Sequence, residues 1–196
     1  MENGSLFDLF EESWVDWTWA LRRSMALDCS SGMAYLHSAQ PPILHLDLKS
    51  LNILVDEKKR AKVSDFGLSK LKTGKEAVSD KGSPLIGSLL WVEPSVFNGE
   101  APSESSDVFS FGILLSEIVN LSLPYPQQRK QQMQPVAIAY QVANGCADGS
   151  GPLRPQLIAP DCPAAMANLC GQCWAASRDD RPTFPAITRA LKDMSF

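Results

Sequence analysis

Apolar residues recur at helical spacing along much of the chain. Leu21, Met25, Cys29, Met33 and Leu36 form one stripe, which predicts a helix over residues 17–37 with Asp16 or Thr18 as its N-cap. Gln40-Pro41-Pro42 ends it, because proline cannot continue a helix and restrains the residue before it. Residues 103–120 predict a buried helix with Ser103 as N-cap and Phe109, Ile113, Leu114, Ile118 and Val119 as its apolar face. Further helices are expected over 6–12, over 135–144 with Gly145 just past the end, over 163–175, and from Phe184 to about Met194. Only one stretch reads as strand: Ile53-Leu54-Val55 and Ala61-Lys62-Val63 flank the polar turn Asp56-Glu57-Lys58-Lys59, a β-hairpin. Residues 68–88 are polar and irregular, and residues 127–134 are a polar stretch compatible with disorder.

Composition narrows the class. With 196 residues, 44% of them hydrophobic, the chain can bury one sizeable core. A net charge of −4 argues against a nucleic-acid partner. There is no apolar run long enough to span a bilayer and no secretory leader pattern. The five cysteines are odd in number and unpatterned, which suits a reducing compartment. Cys170 and Cys173 make a lone C-x-x-C at i, i+3 on an apolar helix face, a core-packing pattern rather than a metal or redox site.

The chemistry concentrates between residues 45 and 67. His45-Leu46-Asp47-Leu48-Lys49-Ser50-Leu51-Asn52 fits the pattern H-R-D-L-x-x-x-N except at Leu46, and Asp65-Phe66-Gly67 follows the hairpin. Together and in this order these motifs resemble the catalytic loop and D-F-G of protein kinases, and Lys49 resembles the serine/threonine type. The resemblance implies ATP and Mg²⁺ as cofactors. It implies Asp47 as acceptor of the substrate hydroxyl proton, Lys49 as the cation on the transferring phosphoryl group, Asn52 and Asp65 as metal holders, and Leu54 under the adenine. Two carboxylates facing a triphosphate repel it by roughly 4 kcal/mol per like-charge pair at 4 Å and an effective dielectric of about 20, so metal and Lys49 are both needed.

The rest of the chain carries the same likeness. Residues 1–6 resemble the segment just after the hinge between kinase lobes. Residues 68–88 match an activation loop, where Thr73, Ser79, Ser83 and Ser88 are candidate phosphate acceptors. Leu46 cannot pair with such a phosphate as an arginine would. Ser88 stands where a Ser or Thr lies near the catalytic Asp and Lys. Glu93-Pro94-Ser95 replaces A-P-E, whose Glu in the family pairs with the buried arginine corresponding to Arg181. Either Glu93 substitutes from two residues away, or the lobe is less stable than its relatives. Ser106 to Gly112 resembles the central helix of the large lobe, with Asp107 tying down the catalytic loop. Cys173-Trp174 and Arg181-Pro182 resemble the tyrosine-kinase-like group.

The expected fold is therefore mainly α: the helical C-terminal lobe of the protein-kinase-like fold, with a short β-hairpin at the catalytic loop and the small β-rich lobe absent. No G-x-G-x-x-G occurs, and residues 1–196 are expected to be one kinase domain cut at the hinge. The expected function is protein serine/threonine kinase, inactive as this lobe alone; the alternative is a non-catalytic kinase-like (pseudokinase) protein-binding module. Expected partners are a protein substrate and a cover over an exposed apolar surface at the ATP cleft, either a partner or the small lobe. The expected setting is cytoplasmic, or the cytoplasmic part of a longer membrane protein.

Overall fold

The computed structural model describes residues 2–65, 70–71 and 86–195. The elements in order are α1 (Leu6–Phe10), α2 (Trp19–His37), β1 (Ile43–Leu44), a 3₁₀ turn (Ser50–Asn52), β2 (Ile53–Val55), β3 (Ala61–Val63), β4 (Lys70–Leu71), a second 3₁₀ stretch (Ile86–Trp91), α3 (Pro94–Phe97), α4 (Glu104–Asn120), α5 (Pro126–Lys130), α6 (Pro135–Asn144), α7 (Ala164–Cys173) and α8 (Phe184–Asp193). The fold is mainly helical, as the apolar periodicity implied.

Thr18 caps α2, its side chain accepting from the Leu21 N–H. The stripe of α2 is sunk into the core at Met25, Cys29 and Met33, with Leu21 and Leu36 packed at its margins. α2 lies against α8, and α4 against α7. Helix α4 is buried, as expected, and beyond its apolar face: every residue from Ser106 to Val119 is buried. One side, including Phe111, Leu114 and Ile118, joins the main core with α2, α7 and α8. The other, Phe109 and Ile113, joins a second core with Leu90, Trp91, Tyr125, Ile138 and Val142. Cys170 and Cys173 are free thiols with no exposed surface, and burial pushes both up, which fits core packing.

β2 and β3 pair antiparallel in the expected hairpin, Ile53 opposite Val63 and Val55 opposite Ala61. Asn3 and Gly4 lie beside β2, with the Asn3 N–H donating to the Val55 carbonyl and the Val55 N–H to the Gly4 carbonyl. Several expectations need correction. α1 ends at Phe10, short of residue 12, and α7 is shorter than 163–175 by a residue or two at each end. Residues 126–130 form α5, because Pro126 presets the first turn. Residues 70–71, read as irregular, form β4 opposite β1, where backbone pairing sets the conformation without an apolar alternation. Phe66, Gly67, Thr73, Ser79 and Ser83 lie outside the described residues.

Gly112 sets how closely α4 and α7 approach. A Cβ there would fall 2.9 Å from the Cys173 Cβ and 3.2 Å from the Trp174 N. Gly112→Ala is expected to lower stability by about 1–2 kcal/mol, overpacking outweighing the better helix propensity. Urea titration checks this; an unchanged midpoint would mean the helices are farther apart.

Candidate active site

The catalytic-loop segment is held from below by α4. Asp107 has no exposed surface. Its Oδ1 accepts from the Leu46 N–H at 2.8 Å, and its Oδ2 from the His45 N–H and from His37 Nε2, both at 2.9 Å. The anchoring role read for Asp107 is thus seen as three hydrogen bonds. They hold Leu46 at φ +65, a left-handed conformation that costs a side-chain-bearing residue about 1–2 kcal/mol. His45 is also fully buried. Its Nδ1 accepts from the Asp47 N–H at 3.2 Å and its Nε2 donates to the Ser64 carbonyl at 2.9 Å, which links the loop to the residue before Asp65. Both histidines of the chain therefore converge on this segment.

Above this support three of the expected residues meet. Lys49 Nζ lies 2.9 Å from both carboxylate oxygens of Asp47 and 2.7 Å from Ser88 Oγ. The Asn52 N–H closes a turn onto the Lys49 carbonyl, which brings its side chain back over the loop. Asn52 Nδ2 then donates to the Asp47 carbonyl at 2.8 Å and to Asp47 Oδ2 at 2.7 Å. Ser88, read as one of four phosphate acceptors, is buried with its hydroxyl on Lys49; it is part of the site, not a surface hydroxyl.

Asp65 is linked to this cluster through its neighbour Ser64. The Ser64 N–H and Oγ both donate to the Asn52 carbonyl at 2.9 Å, so Asp65 follows a residue clamped to Asn52, and it adopts φ +60. Leu54 is not in the cluster. On β2, Ile53 and Val55 point into the core and Leu54 faces the other way, half-buried; Leu51 beside it is 41% exposed. With Nδ2 of Asn52 committed to Asp47, its amide oxygen is left over; this oxygen and the Asp65 carboxylate are the types of group that would suit Mg²⁺.

The segment after Ser88 is fixed by an ion pair. Glu93 is 1% exposed. Its Oε1 accepts from Arg178 Nε at 2.7 Å and Arg181 at 2.8 Å; its Oε2 accepts from Arg178 at 2.8 Å and Ser106 Oγ at 2.7 Å. Of the two alternatives left by Glu93-Pro94-Ser95, the structure has the first: Glu93 partners Arg181. Arg178 is a second partner that the sequence reading missed. The reading also missed His37, which bonds Asp107, and Glu117, which accepts from Ser50 and from the Trp91 indole. No local motif marks these three; a residue of ordinary type at a helix end or in a loop carries no such signal.

Comparison with known proteins decides the family. A family model for protein tyrosine and serine/threonine kinases matches residues 1–191. This chain belongs to the protein kinase family. It is 37% identical over 198 residues to the probable serine/threonine-protein kinase drkC of Dictyostelium discoideum, a match covering 99% of this chain and 24% of the relative. It is 35% identical to kinX and 32% to drkD, two further probable serine/threonine-protein kinases of that organism, over 99% of this chain and 16% and 14% of theirs. The chain thus spans a quarter or less of the length of these relatives. Kinases of this family act on protein hydroxyls and generally use ATP and Mg²⁺. Among the described residues no helix is long and apolar enough to cross a membrane.

Burial pushes the Glu93 carboxyl up, but the hydrogen bonds from Arg178, Ser106 and Arg181 outweigh it and hold the group below its ordinary value of 4.5. A depressed folded-state pKa stabilises above the unfolded value and is lost as pH falls through the folded one. Glu93→Gln should therefore cost about 3 kcal/mol at pH 7, with the gap to wild type closing below about pH 4. Denaturation measured from pH 7 to pH 3 checks it; a pH-independent gap would show that the charge is not what Glu93 contributes.

Proposed function

We propose that this chain carries the catalytic-loop lobe of a serine/threonine protein kinase, and that the kinase it belongs to transfers the γ-phosphoryl group of ATP to a protein Ser or Thr hydroxyl. The observation that carries the reading is the Lys49 ammonium held between the Asp47 carboxylate and the Ser88 hydroxyl. A cation there sits beside a base and beside the segment that would receive the substrate residue.

The roles are those that the kinase resemblance implies, and the Asp47–Lys49–Asn52 contacts support them. Asp65 and Asn52 would hold Mg²⁺, which when bound neutralises phosphate charge. Leu54 would lie against the adenine. Asp47 would take the substrate O–H proton as that oxygen bonds to phosphorus and the bond to the leaving diphosphate breaks. In this structure both Asp47 oxygens are occupied by Lys49, and Oδ2 also by Asn52. Lys49 must therefore swing toward the phosphoryl oxygens to free one for the substrate, and its flexible four-carbon stem permits that. The apolar surface at Leu51 and Leu54 would be covered by a small lobe; without a cover the site is open to water and its electrostatic terms weaken.

The test is a fusion that supplies, ahead of residue 1, the segment preceding the matched region of a relative such as drkC. It should phosphorylate Ser/Thr peptides in a Mg²⁺-dependent way and not Tyr peptides. Asp47→Asn should lower kcat by about 10² or more, and residues 1–196 alone should fall at least as far. A folded fusion with no transfer would replace this reading by that of a non-catalytic binding module.

A further inference from the structure

His37 ends α2 with a ring that has one nitrogen in use and one left over. Its side chain is 10% exposed. Nε2 lies 2.9 Å from Asp107 Oδ2. A carboxylate only accepts, so Nε2 carries the hydrogen and Nδ1 of the neutral ring is an acceptor. No described residue bonds to Nδ1, yet the atom is not sealed from solvent. His37 lines a cavity of about 650 Å³ where the end of α2 meets the starts of α4 and α8. That volume is in the range of small-molecule sites, and the cavity shares no residue with the Asp47–Lys49–Asn52–Ser88 cluster.

Ala34, Val108, Pro182, Phe184 and Pro185 give the cavity apolar walls. The Phe184 ring stands edge-on to His37, with centroids 5.0 Å apart and planes at 81°, an arrangement that a third flat ring can extend. Charge argues against an anion. The two guanidiniums of the lining, Arg178 and Arg181, are spent on Glu93, and Glu104 and Asp179 bring carboxylates to the same cavity. Neither helix start offers an anion site: α4 opens on Glu104, and the second residue of α8 is Pro185, which has no N–H. We propose that this cavity binds a small planar aromatic molecule carrying one N–H or O–H donor, its ring against the apolar walls and its donor on His37 Nδ1. The chemistry is that of an indole or a phenol. Such a ligand takes the acceptor that water otherwise uses. It lies two hydrogen bonds from the catalytic loop, His37 to Asp107 and the Leu46 N–H to Asp107.

The inference does not rest on the kinase reading, and its test uses no activity. The chain has two histidines, His37 and His45, so imidazole nitrogen NMR reads the site with its own internal reference. Indole is titrated into the 196-residue chain, with benzothiophene, the same shape with sulfur in place of N–H, as control. Indole should move the His37 Nδ1 resonance with a Kd of about 1 mM or tighter and leave His45 in place. Benzothiophene should bind about fivefold more weakly, the loss of one hydrogen bond. Ala34→Leu extends a half-buried side chain of α2 into the cavity at little cost in helix propensity. It should weaken indole by about tenfold or more, with thermal unfolding confirming that the variant folds. His37→Phe keeps a flat ring and removes the acceptor, so the two probes should then bind alike; if it does not fold, Ala34→Leu and the two probes decide the question. A His37 resonance that stays fixed up to the solubility of indole, equal binding of the two probes to wild type, an equal shift at His45, or indole binding unchanged by Ala34→Leu would each overturn the proposal.

Discussion

Asp107 is a carboxylate with no access to water, and the fold around the site is arranged so that this is tolerable. A buried charge is strongly unfavourable unless donors surround it. Here the donors are two consecutive backbone N–H groups of the catalytic loop and one imidazole. The loop is therefore not free to lie elsewhere: moving it would leave Asp107 unpaired. The left-handed backbone at Leu46 persists for the same reason, since the two hydrogen bonds on either side of it outweigh its local cost.

The same logic runs along the whole of α4. Asp107 and Glu117 are separated by nearly three turns, and neither meets solvent. Each holds a segment that lies outside the α-helices. Asp107 holds His45 and Leu46; Glu117 holds Ser50 and Trp91. Ser106 and Ser110 add bonds to Glu93 and to the Trp91 carbonyl. The apolar residues of α4 join the two cores, while its polar residues specify where the loops sit. Burial of apolar area is non-directional and could not do the second task.

The ion pair at Glu93 shows how a motif can change while its physics is kept. Arg181 is nearly buried and lies over the Phe109 ring, 5.2 Å from its centroid. An arginine in that place must have an anion. The carboxylate comes from Glu93, two positions before Ser95, and Arg178 joins it on a second edge. What the family resemblance requires is a carboxylate against the guanidinium, and a residue two positions away meets that requirement because the backbone between Trp91 and Pro94 is extended at Glu93.

The sequence by itself determined the helices whose apolar stripes are periodic, α2, α4 and α6, the β2–β3 hairpin with its polar turn, and the residue types at Asp47, Lys49, Asn52 and Asp65. These are local signals: spacing, capping and motif order lie within a few residues of one another. Only the tertiary structure decided what crosses between segments. It decided that the buried α4 divides its apolar residues between two cores, because one helix cannot reveal how many neighbours it has. It paired β1 with β4 across more than twenty residues and chose Glu93 over a weakened lobe. His37, Arg178 and Glu117 look ordinary in the chain. They acquire roles because buried polar groups far away in sequence need donors and acceptors, and the fold places these side chains within hydrogen-bond reach of them.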